Sequence, residues 1–317
     1  MSRNRIIYQS QAVALTGDAT SNTAITINGV QSVTYGIEVS REEINQFGQL
    51  GAVDRIVLEA PTATQEVQFH FPNGINHETL NALVTGALGS AVNSLMVALD
   101  ADEGADFNAV PASTSSVHLK SGRLSSFSFE ASVGAIPSIT LGFEGIALVY
   151  TDVASVLTQP TTGYAANLVG FTDVSVTLVN GSATHVDTHA QSATLSFDLG
   201  SEGLQHLGAG GLVYARVPTF PATATLEVEG LAIDRGMSLN LDPAVFKQKA
   251  SAGTDTDKGG RADVSVTVGT IKFILKGATL DAVNYNNAIG DNATCSATFG
   301  VSIGGATSAS QLVIESA

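Results

Sequence analysis

The chain has 317 residues, enough for two domains of ordinary size, and its 44% hydrophobic content allows each domain its own core. Its net charge of -15 argues against a general affinity for nucleic acid backbones, which requires clustered Lys and Arg. Because Cys295 is the single cysteine, the sequence excludes an internal disulfide and a thiol cluster for a structural metal, and a reducing compartment fits.

The composition predicts a mainly β protein. The 32 glycines occur among many Thr, Ser, Val and Ala residues, a mixture that favours strands over helices. The N-terminal segment has basic residues but no sustained apolar stretch, and no apolar run of about 18 residues follows it. We therefore expect neither a signal peptide nor a membrane span.

Alternating apolar and polar residues predict strands along the first half of the chain. These strands are SVTYGIEV from residue 32, RIVLEA from residue 55, VQFHF from residue 67, LSSFSFEA from residue 124 and SITLGFEGIALVY from residue 138. One helix is predicted at residues 77–96, because Leu80, Leu83, Val84 and Leu88 fall on one helical face. The first half thus reads as strands with one flanking helix.

The second half has the same kind of pattern. Its predicted strands are ATLSFDL from residue 193, ATLEVEGLA from residue 224, VSVTVGTIKFIL from residue 264 and CSATFGVSI from residue 295. A short helix is predicted at residues 243–250, with Asp242 as its N-cap and Pro243 at its first position. Residues 250–262 have almost no apolar content and are predicted to form a projecting loop that orders against a neighbour.

An internal repeat divides the chain. Residues 31–61 align without a gap on residues 191–221, and nine of the 31 positions are identical. The identical pairs are Gln31/Gln191, Ser32/Ser192, Thr34/Thr194, Glu42/Glu202, Gly48/Gly208, Gly51/Gly211, Val53/Val213, Val57/Val217 and Pro61/Pro221. A weaker match places residues 124–134 on residues 280–290 and Phe143 on Phe299, a displacement of 156 residues. With a Pro- and Gly-containing linker at residues 155–166, the repeat predicts domains at 1–158 and 159–317.

Candidate chemical sites are few. His185 and His189, with Asp187 between them, could be metal ligands on one strand face, but no cysteine or convincing third ligand accompanies the two histidines, and we interpret them as strand or turn residues. The acidic residues 100–106 lack the calcium-loop pattern and are interpreted as a solvated turn. Cys295 lies in an alternating strand, where a small buried side chain is expected. No phosphate-binding loop and no GxSxG motif occurs, so we expect no enzyme and no cofactor.

The N-terminal region resembles the major tail proteins, or tail tube proteins, of tailed bacteriophages, particularly the long two-domain type. The resemblance rests on MSRNRIIYQSQAV and on VQSVTYGIEVSREEINQFGQLGAVDRIVLEAPTATQEVQFHF, about 70 residues in all. It implies two tandem tail-tube-like β-sandwich domains, each with a short flanking α-helix. It also implies that inner strands line a channel and that an extended loop bridges stacked rings.

By position, the resemblance implies subunit contacts on a polar, glycine-punctuated segment that follows the first long strand. The contact residues are Arg41, Glu42, Glu43, Ile44 and Phe47, with second-repeat equivalents Glu202, Leu204, His206 and Leu207. Ser201 replaces Arg41 and Gly203 replaces Glu43, so the two halves cannot make the same charge contacts.

The resemblance implies a structural role in the virion tail after assembly in the host cytoplasm. Three chains would present six pseudo-equivalent domains in one ring, and rings would stack into a tube. The implied partners are other copies of the chain, tape measure, sheath and terminator proteins, and double-stranded DNA that passes through the lumen without specific binding; no membrane is implied. The acid excess predicts a net negative lumen, which DNA crosses without adhering.

Three alternatives remain open from the sequence. Another phage structural module, such as a baseplate, tail-terminator or capsid-decoration protein, would share the strand content without forming long hollow polymers. A carbohydrate-binding sandwich would need exposed aromatic platforms, whereas this chain has no Trp and 6% aromatic residues. A hydrolase would need a catalytic constellation formed only in space.

Overall fold

Antiparallel strands make up about three quarters of the residues that the structure describes, so the fold is mainly β, as the composition predicts. The structure is a computed structural model. It describes residues 11–16, 24–57, 61–71, 80–81, 84, 94–99, 115–151, 172, 174–180, 183–187, 189–204, 215–232, 261–289, 292–303 and 311–317.

The first half contains eleven strands in the described residues. They are β1 (Gln11–Thr16), β2 (Ala24–Ile27), β3 (Val30–Glu38), β4 (Arg41–Ile44), β5 (Asp54–Val57), β6 (Thr62–His70), β7 (Ser94–Leu99), β8 (Ser115–Lys120), β9 (Arg123–Ser132), β10 (Ser138–Gly145) and β11 (Ala147–Thr151).

The second half contributes the remaining strands. They are β12 (Val174–Asn180), β13 (Ala183–Asp187), β14 (Ala190–Asp198), β15 (Ser201–Leu204), β16 (Ala215–Pro218), β17 (Ala222–Leu231), β18 (Ala262–Val268), β19 (Ile271–Asn286), β20 (Thr294–Ile303) and β21 (Leu312–Ser316).

Eight of these strands form what we call the central sheet, in the order β3-β6-β10-β9-β14-β17-β20-β19. Its first four strands come from the first half of the chain and its last four from the second half. The two sets meet where β9 pairs with β14, with Phe129 opposite Leu195 and Phe127 opposite Phe197. Hydrogen bonding is therefore continuous between the two halves.

Two flanking sheets cover the apolar face of the central sheet. The first has the order β11-β8-β7-β1-β2, and the second has the order β21-β19-β18-β12-β13. Strand β19 belongs to two sheets, because Ile271 to Leu275 pair with β18 and β21 whereas Thr279 to Asn286 pair with β20. Gly277, between these parts, has φ +64°, and Ser121, between β8 and β9, has φ 52°. These two left-handed residues are 156 positions apart, the displacement of the weaker sequence match.

The core lies between the central and flanking sheets and extends across the junction of the two halves. Phe127 stacks on Phe197 at 5.3 Å between ring centroids, joining β9 to β14. Phe273, from the second flanking sheet, lies 5.1 Å from Phe129 of the first half. Burial of the alternate residues of β9 and β14 gives both strands one apolar face and one polar face, which accounts for their period of two.

The predicted strands of the central sheet are present, except that the strand predicted from residue 138 is two strands, β10 in the central sheet and β11 in the first flanking sheet. Several other sequence predictions also need correction. The predicted helix at residues 77–96 is wrong at its end, because Ser94–Leu99 form β7. Leu80, Asn81 and Val84 are helical, yet the described residues contain no complete flanking helix. The predicted strand from residue 264 is two strands, β18 and β19, because the chain turns at Gly269 and Thr270. The predicted helix at 243–250, the linker at 155–166 and most of the loop at 250–262 lie outside the described residues.

Candidate functional site

The central sheet ends in two edge strands from opposite halves of the chain. Among the described strands, β3 pairs only with β6, and residues Thr279 to Asn286 of β19 pair only with β20. Each edge therefore presents a row of backbone groups to which another strand can pair. One edge belongs to the first half and the other to the second.

The pairing registers relate these edges to the junction between β9 and β14. Tyr35 lies opposite Gln65 just as Leu195 lies opposite Leu226, so the first and fifth strands of the sheet occupy equivalent places. Val283 lies opposite Ala297 just as Phe127 lies opposite Leu141. Strands β9 and β19 also have a register shift at equivalent positions, at Ser125 and Asp281.

Burial differs sharply between the equivalent positions. At the junction, the exposed fractions are 1% for Leu195, 3% for Phe197 and 0% for Phe129. At the edges, the equivalent residues Tyr35, Ile37 and Tyr285 are 40%, 52% and 55% exposed. The edges therefore carry apolar side chains at the places where the junction carries its core.

The predicted contact residues of the first half lie on a two-stranded hairpin made by β4 and β5. Arg41, Glu42, Glu43 and Ile44 form β4, and all four are exposed. Phe47 is fully exposed at the hairpin tip, as is Leu50. The side chains of Arg55 and Glu43 lie 3.2 Å apart in an exposed ion pair within the hairpin.

The second-half counterparts lie on a similar hairpin made by β15 and β16. Glu202 is exposed and Leu204 is half-buried, both on β15. His206 and Leu207 lie outside the described residues. The structure thus brings Arg41 to Ile44 together with Phe47 on the first hairpin. It places Glu202 and Leu204 together on the second hairpin.

Arg216, which was not predicted as a site residue, joins the second hairpin to the first half of the central sheet. Its Nη1 lies 3.1 Å from Glu144 Oε2 and donates to Ser201 Oγ at 2.9 Å, while its Nη2 donates to Thr62 Oγ1 at 2.7 Å. Ser201 Oγ also donates to Glu144 Oε2. The sequence could have predicted this role, because Arg216 is a single cation among apolar residues, and a cation in a buried position needs hydrogen-bonding or charged partners.

The face of the central sheet that the flanking sheets leave open is polar and acidic. Its strand positions carry mainly Ser, Thr, Asn and Gln. Its acids are Glu38, Glu66, Glu130, Glu144, Asp198, Glu227, Glu229 and Asp281. Among the described strand positions of this face, Arg123 at one margin is the only Lys or Arg.

The residues that were considered as metal ligands or as a nucleophile occupy structural positions in the fold. Asp187 is buried, and its Oδ1 accepts a hydrogen bond from the backbone N–H of His189 at 2.8 Å, which closes the turn between β13 and β14. Cys295 is buried within β20. In the described part of the chain, no group of three or more His, Cys, Asp or Glu residues is placed to hold a metal ion. Residues 100–106 lie outside that part.

Two pKa values are shifted at the ends of the sheet. Partial burial raises the pKa of Tyr285, and the neighbouring Cys295 thiol adds to the effect through its charge and a hydrogen bond. Burial lowers the pKa of Arg123. Neither shift brings a group into the range of acid-base chemistry at neutral pH, since Tyr and Arg titrate far above it.

Comparison with known proteins adds no assignment. No protein-family model matches the chain, and no curated protein matches it significantly. None of the helices in the described regions is long and apolar enough to span a membrane.

Proposed function

We propose that this chain is the structural subunit of a bacteriophage tail tube and that it has no enzymatic role. The observation that carries the proposal is the junction between β9 and β14, where four strands of one half are followed, in the same sheet, by four strands of the other. A head-to-tail junction leaves complementary edges at the two ends of the sheet. A second copy of the chain can extend the sheet in the same manner at each edge.

We further propose that the two halves are tandem tail-tube-like β-sandwich domains. The repeat at a displacement of 160 residues supports this proposal. So does the order of strands, which is the same in the two parts of the central sheet and in the two flanking sheets. Ser121 and Gly277, with left-handed backbones 156 residues apart, mark the corresponding bends.

The proposed contact between chains pairs β3 of one copy with β19 of the next. Transferring the register of the central junction places Tyr35 opposite Tyr285 and Ile37 opposite Val283. Pairing would satisfy the edge backbone groups and bury apolar side chains that are exposed in the isolated chain. Because each chain supplies two domains, three chains would close a pseudo-sixfold ring.

Exposed apolar residues at opposite ends of the central sheet support axial stacking of such rings. The β4–β5 hairpin extends from the end at which Glu38 pairs with Thr62, and it carries Phe47 at its tip. The turns that follow β9 and β19 are at the other end and expose Val133 and Ile289. A stack of identical rings would bring the two kinds of surface together, which is the ring-bridging role expected of the hairpin.

The open face of the central sheet would line the channel, because the flanking sheets cover its other face. Its acids, apart from Glu144, which is paired with Arg216, would repel DNA phosphates within a screening length of about 8 Å. Double-stranded DNA would therefore pass without adhering. The remaining partners we propose are a tape measure protein in the channel, a terminator at the end of the tube and, in a contractile tail, a sheath around it.

Disulfide cross-linking tests both the edge pairing and the number of chains in the ring. Paired residues of an antiparallel ladder have Cα atoms about 4.5 to 5.5 Å apart, within disulfide range. Tyr35→Cys and Tyr285→Cys would be combined with Cys295→Ala, because Cys295 lies opposite Tyr285 within the same sheet. Oxidised particles should yield covalent trimers on non-reducing gels, whereas a Tyr35→Cys, Tyr150→Cys control should not.

Electron microscopy of the same preparation tests the tube. We expect hollow polymers of stacked rings from concentrated protein or from protein seeded with a tail initiator. A covalent hexamer would contradict the trimeric ring. Closed rings that never stack would favour a baseplate or terminator protein instead, and particles without any rings would contradict the proposed function.

A further inference from the structure

The β15–β16 hairpin shows how a hairpin of this chain packs on a neighbouring half of the central sheet. Through Arg216 and Ser201 it contacts Glu144 of β10 and Thr62 of β6, both in the other half of the chain. The Arg216 side chain is 8% exposed. This contact accompanies the β9–β14 junction, because β15 directly follows β14.

The β4–β5 hairpin has the equivalent place after β3, but the described part of its own chain offers it no such neighbour. All of its strand residues are exposed. The sequence repeat places Arg41 at the position of Ser201 and Ile56 at the position of Arg216. The buried cation of the second hairpin therefore has no direct equivalent in the first, where Arg41 stands instead at the position of Ser201.

The carboxylate that would face the first hairpin also comes from a different position than Glu144, the carboxylate that faces the second hairpin. The registers place Gly300 at the position equivalent to Glu144 and Thr223 at the position equivalent to Thr62. Gly300 has no side chain, but the Asp281 carboxylate, from the register shift in β19, occupies the space that a side chain there would take. Both halves of the central sheet thus present a carboxylate at the same place on the open face, from different strands.

In each half of the sheet, a long side chain on one partner matches a short side chain on the other. In the first half, the longer Glu144 meets the short Ser201. In the second half, Asp281 is held close to the sheet, where its Oδ1 accepts a hydrogen bond from Thr279 Oγ1 at 2.9 Å. A short Asp281 would meet the longer Arg41 as the longer Glu144 meets the short Ser201. Arg41 forms no ion pair with any described residue, since the nearby Glu43 is paired with Arg55.

We propose that the β4–β5 hairpin of one copy lies on β17 and β20 of the adjacent copy in the ring, with Arg41 paired to Asp281. The proposal rests on the proposed function, because it needs the pairing of β3 with β19. It adds a charge contact specific to the junction between chains, distinct from the Arg216–Glu144 contact within a chain.

A double-mutant cycle tests this pair in assembling protein. Arg41→Glu and Asp281→Lys should each raise the critical concentration for assembly by about tenfold or more, because each leaves like charges facing one another at a contact. The double variant should recover most of the loss. Arg55→Glu is the matched control, since it reverses a charge on the same hairpin whose partner is Glu43, and reversing Asp281 as well should give no recovery.

Folding and function are separated by two further measurements. Thermal unfolding of unassembled Arg41→Glu should match that of the parent, because Arg41 is exposed in one chain. Asp281→Lys also loses the hydrogen bond from Thr279 Oγ1, so it should unfold at a slightly lower temperature, and Arg41→Glu should not restore that temperature although it restores assembly. If the parent assembles into tubes but the cycle gives no coupling, or if the Arg55 control recovers equally, the proposed pair is wrong and the tube function stands. If the parent yields no tubes and its cysteine variants no trimers, the proposed function fails and this contact fails with it.

Discussion

The equivalence between the central junction and the chain edges predicts opposite effects for two matched substitutions, Phe197→Ala and Ile37→Ala. Phe197 is 3% exposed and stacks on Phe127, so truncation leaves a core cavity and should cost the isolated chain about 3 to 5 kcal/mol. Ile37 is 52% exposed at an edge where no enclosed cavity can form. Its truncation should cost the isolated chain less than about 1 kcal/mol.

The cost of Ile37→Ala should instead appear on assembly. Enclosing the exposed half of an isoleucine side chain is worth about half of the 1.5 to 3 kcal/mol for full burial, or roughly 1 kcal/mol for each contact between chains. That free energy corresponds to about a fivefold loss in the association constant of each contact. The critical concentration for tube formation should rise by a similar factor.

Urea unfolding followed by circular dichroism would measure the first effect, since the chain has no Trp. Sedimentation of assembled protein would measure the second. The reasoning is refuted if Ile37→Ala assembles at the parental concentration, or if Phe197→Ala leaves the stability of the isolated chain unchanged. The first result would mean that the β3 edge does not contact another chain. The second would mean that the β9–β14 junction is not part of the hydrophobic core.

Three more predictions concern the hairpin tip, a buried amide and the open face. Phe47→Ala should leave the unfolding free energy within about 0.5 kcal/mol, because Phe47 is fully exposed, but should prevent ring stacking in electron micrographs. Gln65→Leu should stabilise the isolated chain by about 1 to 3 kcal/mol in urea unfolding, because the buried Gln65 amide has no hydrogen-bond partner among the described residues and Leu226 is its equivalent. Glu227→Lys with Glu229→Lys should leave assembly intact and slow DNA ejection at low salt, with the defect fading as salt rises; an ejection rate equal to that of the parent would make the acids a solubility trait.

The sequence predicts the central sheet well because each of its strands has one solvent-exposed face and one buried face. In β9 and β17, burial alternates along much of the strand, and so do apolar and polar residue types. Four of the five strands of the first flanking sheet were missed, and the fifth, β11, was predicted only as the end of the strand from residue 138. Strand β7 has the sequence SLMVAL, whose continuous apolar run does not distinguish a strand from a helix, and the predicted helix therefore ran into it.

The contact surface could be predicted only in part. The repeat predicts which segments are equivalent, and the structure shows that the segment at Arg41 is an exposed hairpin, which does not by itself test the predicted contact. It does not reveal that Asp281 replaces Glu144, because the two acids are not aligned in sequence and come from different strands. The equivalence exists only in space, where a glycine on one strand admits a carboxylate from the next.

In the proposed ring, the number of domains would depend on the junction within a single chain. A head-to-tail interface closes only when repeated application of its rotation returns to the start, and otherwise it produces an open helix. Six domains close if each junction turns the sheet by about one sixth of a circle. In the proposed ring, the β9–β14 junction, with Phe127 stacked on Phe197, would set that rotation once in every chain through strand pairing and packing. Because the contact between chains would reuse the same register with different charges, the two junctions can share one rotation while the Arg216 and Arg41 contacts keep them chemically distinct.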